Sequence, residues 1–127
     1  MTLLLDTHAL LWFAGADPRL SRAARRAMDA EDSELVISAA TVWEMAIKSG
    51  TGDLQLHRSV DEYVLEKLAE GYTMWPITWE HAAGVAVLPW HHRDPFDRLL
   101  VAQALSEKCA VVTADRMFRK YGVDVVW

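Results

Sequence analysis

Asp6 directly follows the apolar run Leu3-Leu4-Leu5, and Glu44 interrupts Val42, Trp43, Met45, Ala46 and Ile47. Asp97 shares a helical face with Leu100, Val101 and Ala104, and Asp115 lies just beyond the apolar segment Ala110–Thr113. Each acid has an ordinary structural explanation. Asp6 and Asp115 could cap the helices that follow them. Glu44 has Lys48 one turn on, a surface pair worth only about 0.3–0.5 kcal/mol. Asp97 could complete a cap with Asp94. Together they say more, because two of them point toward apolar surroundings. Ionised carboxylates about 4 Å apart repel by roughly 4 kcal/mol at an effective dielectric near 20, so a cluster of four needs protons or a cation. Hard oxygen ligands suit Mg²⁺ or Mn²⁺, and the chemistry such a site supports is phosphodiester hydrolysis by a metal-activated water.

That chemistry requires elements that bring the four together. Short apolar runs alternate with longer helical patterns along the chain, with no repeat, low-complexity tract or linker, which is the rhythm of a βα fold. Strands are predicted at Leu3–Leu5, Leu35–Ser38, Ala110–Thr113 and Val123–Val126, with a weak one at Tyr72–Ile77 that Pro76 demotes to an edge or a short piece. Helices are predicted around Ala9–Ala14, from the cap Ser21 to Ala30, over Ala40–Lys48, from Ser59 to Gly71 and from Thr78 to Val87. Another runs from the cap Asp94, with Pro95 in its first turn, to Lys108, and a short one covers Asp115–Tyr121. The alternation predicts an α/β fold with a parallel sheet between helix layers. Ligands in such sheets gather outside the carboxyl ends of the strands, where all four acids fall.

At 127 residues the chain suits one domain, 1–127, able to bury roughly 65–70% of its unfolded surface without disulfides. An apolar fraction of 52% with 24% charged residues excludes disorder as the main state. No apolar run approaches the roughly 18–20 residues of a membrane span, and no basic segment precedes Leu3, so neither anchor nor export signal is expected. The lone Cys109 cannot close an internal disulfide, and the cytoplasm is the expected home. A net charge of −5 disfavours a broad basic face that coats nucleic acid, without excluding a nuclease with a local acidic centre.

Four segments in order carry a resemblance: Leu4-Leu5-Asp6-Thr7-His8-Ala9-Leu10-Leu11-Trp12, Ser38 through Lys48, His92-Arg93-Asp94-Pro95-Phe96-Asp97-Arg98-Leu99-Leu100, and Val112-Thr113-Ala114-Asp115-Arg116. Through them the chain resembles the PIN-domain family, and closely the VapC-like toxins of bacterial toxin–antitoxin pairs, over nearly its whole length. The resemblance implies a PIN-like three-layer α/β/α sandwich with a central, mostly parallel sheet. It also implies an endoribonuclease dependent on Mg²⁺ or Mn²⁺, an RNA substrate, a cognate antitoxin that silences it, and a homodimer. By motif position Asp6, Glu44, Asp97 and Asp115 are the catalytic and metal-binding acids, with Asp6 and Asp97 as direct ligands. Thr113 matches a hydroxyl that orients a carboxylate or a water, and Asp94 matches behind the acids while serving as a cap. Water as nucleophile predicts products with 5′-phosphate and 3′-hydroxyl ends. The alternative on the same fold is a catalytically silent protein acting only through complex formation, against which the intact acids count.

Other residues attract attention for weaker reasons. His91 and His92 lack a Cys or spaced His partner for a zinc set, so His92 is read as a substrate contact rather than a ligand. Trp90 is read as a base-stacking residue, and Arg98 and Arg116 as phosphate contacts, with solvated surface as the alternative for the arginines. Trp12, Trp43 and Trp75 are read as core. An aspartyl phosphatase would want an acid where His8 stands, and a receiver module would want a lysine where Thr113-Ala114-Asp115 stands.

Overall fold

A computed structural model describes residues 1–127. Its first strand, β1 (Thr2–Leu5), is apolar at successive positions because both faces are covered: Leu3 and Leu5 enter one core and Leu4 the other. The chain continues through helices α1 (Thr7–Ala14) and α2 (Arg22–Asp29) to β2 (Glu34–Ser38), then α3 (Ala39–Thr51), α4 (Val60–Ala69) and β3 (Thr73–Trp75). Helix α5 (Trp79–Gly84), a 3₁₀ turn at Val85–Val87 and helix α6 (Pro95–Glu107) lead to β4 (Ala110–Val112). A second 3₁₀ segment, Arg116–Tyr121, precedes β5 (Val125–Val126).

The five strands lie in the order β3-β2-β1-β4-β5, and every pairing is parallel, so the sheet expected to be mostly parallel is wholly so. Side chains of Leu3, Leu5, Ile37, Ala110 and Val112 meet residues of α1 to α4 on one face. Leu4, Val36 and Val111 meet Leu100, Val101 and Ala104 of α6, with Phe118 and Tyr121, on the other. These two cores make the α/β/α sandwich. Each fully buried leucine contributes about 1.5–3 kcal/mol.

Local departures from expectation have local causes. Helix α3 continues through Gly50 to Thr51 and stops at Gly52, whose φ of 84° is the left-handed conformation that ends helices. The predicted Thr78–Val87 helix tightens at Gly84 into the 3₁₀ turn, and Asp115 caps a 3₁₀ segment rather than an α-helix. Strand β5 is short because Gly122, at φ 85°, turns the chain and sends Val123 into the core. Pro76 ends β3 at the sheet edge, as expected. Trp43 is not core: it is 54% exposed on α3, with Phe96 edge-on at 4.9 Å, while Trp12 and Trp75 pack partly buried against the two cores. No helix is long and apolar enough to cross a membrane.

The strand order reverses at β1, whose neighbours β2 and β4 come from the two halves of the chain. A parallel sheet opens a crevice at such a reversal, beyond the carboxyl ends of its strands. Leu5 lies in register with Val112, and the Asp6 amide continues the ladder by donating to the Val112 carbonyl at 3.1 Å. Asp6 and Thr113 therefore leave the sheet side by side.

Candidate active site

Each acid is held by the start of the element that follows it. Asp6 caps α1, its Oδ1 accepting from the Ala9 amide at 2.7 Å. Thr7, the first residue of α1, donates its hydroxyl to Glu44 Oε1 at 2.5 Å, and Lys48 pairs with Glu44 Oε2 at 2.5 Å. With only 13% of the Glu44 side chain exposed, this is a cleft pair rather than the expected surface pair. Asp94 caps α6 by accepting from the amides of Phe96 and Asp97, with Pro95 at the first helical position, which aims Asp97 from the first turn. Thr113 is fully buried, and its hydroxyl accepts from the Asp115 amide at 3.0 Å. Asp115 in turn accepts from the Met117 amide at 2.9 Å through Oδ1 and from His92 Nε2 at 2.6 Å through Oδ2.

Asp6, Glu44, Asp94, Asp97 and Asp115 line one open cleft of about 370 Å³. Ligand atoms of Asp97 and Asp115 from this cleft and of the adjoining His92 lie within 4.8 Å of one another. Burial raises the Asp6 carboxyl above the usual range, opposed by the Thr113 hydroxyl and the Ala9 amide. Burial and then the Asp94 charge push Asp97 up to about 7, with Glu44 and Asp6 adding and His92 opposing. Lys48 rises chiefly through its hydrogen bond to Glu44. The cation of the cleft is thus committed to Glu44, and neither Asp6 nor Asp97 forms an ion pair. Oxygen donors that are costly to ionise and lack a counter-charge fit a hard divalent cation. Asp97 and Asp115, whose oxygens lie close together beside His92, could hold it, and Asp6 and Glu44 line the same cleft.

The more peripheral expectations fare unevenly. Arg98, expected at a phosphate, is instead 3% exposed and turned inward. Its guanidinium donates to the carbonyls of Pro89 at 2.8 Å, Val85 at 3.1 Å and Leu88 at 3.4 Å, and lies 3.9 Å from the Trp90 ring centroid. Arg98 therefore fastens the loop ahead of α6 by gathering three of its carbonyls on one guanidinium. Trp90 is 79% exposed, with Arg98 against its ring. Arg116 is exposed beside Asp115. His92, expected at the substrate, has its side chain 10% exposed and bonds Tyr121 and Asp115 through its ring nitrogens. Thr7, His8 and Lys48 line the cleft without having been singled out for it. Only the spacing of Lys48 from Glu44 left a trace in the sequence.

The cleft lies within a stretch of the chain that matches known proteins. The PIN domain model matches residues 3–124. Ribonuclease VapC22 of Mycobacterium tuberculosis is 36% identical over 121 residues, covering 94% of this chain and 92% of that protein. DNA-bound VapBC from Salmonella typhimurium superposes with a TM-score of 0.72 at 18% identity, covering 98% of this chain and 96% of that one. VapBC2 from Rickettsia felis, bound to a promoter DNA fragment, gives 0.71 at 12% identity with coverage of 98% and 97%. At such identities the two structures speak for the fold alone. From its first strand to the turn before its last, the chain belongs to the PIN domain family, among its VapC-like members.

Proposed function

We propose that this protein is an endoribonuclease toxin that hydrolyses RNA phosphodiesters with Mg²⁺ or Mn²⁺ and is held inactive by a cognate antitoxin. The observation that carries the reading is the uncompensated pair Asp6 and Asp97, both pushed toward their acid forms in a cleft they share with Glu44 and Asp115. RNA as substrate is supported by the 36% identical relative, which is named a ribonuclease. The antitoxin is supported by the VapBC complexes that share the fold. Pairing of two copies and a cytoplasmic site of action belong to the same proposal.

A divalent ion supplies, when bound, the positive charge that lowers the pKa of a coordinated water and offsets the charge growing on the phosphate. The chain's own residues do the rest. Asp6 and Asp97 offer oxygens from the end of β1 and the first turn of α6, and the Ala9 amide restrains Asp6. Glu44, fixed at both oxygens by Thr7 and Lys48, and Asp115 stand ready to place a second cation or accept the proton released by the attacking water. Water rather than the ribose hydroxyl attacks, so the products carry 5′-phosphate and 3′-hydroxyl ends.

Cleavage of total RNA in Mg²⁺ or Mn²⁺, with Asp6→Asn beside wild type, tests this. Wild type cuts, excess chelator stops it, and Asp6→Asn is inactive while still folded. Full activity in chelator, or 2′,3′-cyclic phosphate ends, would overturn the reading.

A further inference from the structure

We propose that His92 is a positioning residue of the hydrolytic site: seated on Tyr121, it presents Nε2–H to Asp115 and fixes the direction in which that carboxylate faces the cleft. The proposal rests on the hydrolase reading above.

Tyr121 is 8% exposed and meets His92 at two points. The backbone N–H of His92 donates to the Tyr121 oxygen at 2.8 Å, and Nδ1 lies 3.1 Å from the same oxygen. On the other side of the ring, Nε2 is 2.6 Å from Asp115 Oδ2. Asp115 Oδ2 accepts, so Nε2 carries the hydrogen and the neutral ring accepts at Nδ1, where the phenol, itself accepting the backbone proton, donates its own. A protonated ring also carries hydrogen on Nε2, so Asp115 faces a donor in either state. The ring is held in plane as well as in register: it stacks on Tyr121 with planes 16° apart and receives Phe118 edge-on at 5.3 Å.

Asp115 is then gripped at both oxygens, by the Met117 amide at Oδ1 and by His92 at Oδ2. The carboxylate cannot rotate without breaking one of the two bonds, and its remaining lone pairs keep a fixed direction. The His92 ring has no polar atom left over for RNA, since Nδ1 and Nε2 are both engaged. Partners that orient an active carboxylate or ligand commonly matter about 10- to 100-fold in metal affinity or activity.

Two measurements test this. The first is imidazole ¹⁵N–¹H correlation spectra of the metal-free protein in alkaline buffer, compared with Tyr121→Phe. His92 in wild type shows the Nε2–H tautomer, and Tyr121→Phe shifts it toward a mixture; an Nδ1–H tautomer in wild type overturns the proposal. The second is Mg²⁺ titration calorimetry together with RNA cleavage for His92→Ala, His92→Gln and Tyr121→Phe. His92→Ala loses about 10- to 100-fold in kcat or Mg²⁺ affinity with an unchanged KM for RNA, and His92→Gln, whose amide reaches the Nε2 position, recovers most of it. Tyr121→Phe falls between them and guards against misfolding of His92→Ala. Wild-type behaviour in His92→Ala overturns the proposal, as does a change in KM alone, which makes His92 a substrate contact. Equal loss in His92→Gln and His92→Ala, with Mn²⁺ affinity falling more than Mg²⁺, makes His92 a ligand and overturns it too. If wild type cuts no RNA the hydrolase reading fails, while the tautomer and Mg²⁺ affinity still decide the role of His92.

Discussion

Asp97 occupies a place that favours its acid form. Its carboxyl is pushed to about 7 by burial and by Asp94, so in chelator the folded protein holds a proton that the unfolded chain has already lost. The folded state binds more protons between the ordinary carboxylate range and about 7, and stability therefore falls as pH rises through that window. Thermal melts in chelator are expected to give a higher Tm at about pH 5 than at about pH 8, an excess that Asp97→Asn diminishes and Mg²⁺ at the higher pH offsets. At this scale the acids were legible because a carboxylate inside an apolar pattern is conspicuous. Arg98 was not, because an arginine beside acids looks the same whether it faces phosphate or three carbonyls of its own loop. Arg98→Met is expected to cost about 1–3 kcal/mol in urea unfolding, since the loop carbonyls, that of Leu88 above all, lose a charged donor. A residue that only met RNA would leave the midpoint unchanged and raise KM.

Helix α6 shows how an element aims a side chain. Asp94, Pro95 and Asp97 are a start signal readable without coordinates, and the cap geometry reproduces it. Asp94→Ala is expected to destabilise by about 0.5–2 kcal/mol in denaturant melts, and to slow cleavage further because the turn bearing Asp97 loses its restraint. Strand β1 divides its leucines between two cores, so Leu4→Ala and Leu5→Ala are each expected to cost about 2–5 kcal/mol although their side chains never meet across the sheet. Boundaries were less legible where glycine decided them. Gly50 is passed over by α3 while Gly52 ends it, and nothing local in the sequence distinguishes the two.

Across the whole molecule, the alternation of apolar runs and helical patterns sufficed for a parallel sheet between helices, since parallel strands need crossovers. The strand order did not follow from it, because β1 could in principle neighbour any later strand. That order is set by which faces bury together over long separations, as Leu4 and Val111 do beneath α6. The same long-range packing left Trp43 outside, where composition alone placed it in the core.

Because β1 is the first strand of the chain yet sits between β2 and β4, the cleft is finished late in synthesis. A ribosome that has just released Asp6 must translate more than a hundred further residues before Asp115 emerges to stand near it. If the chain cuts RNA as proposed, a nascent polypeptide whose Asp115 is still inside the exit tunnel has an incomplete cleft and spares the messenger it is being read from.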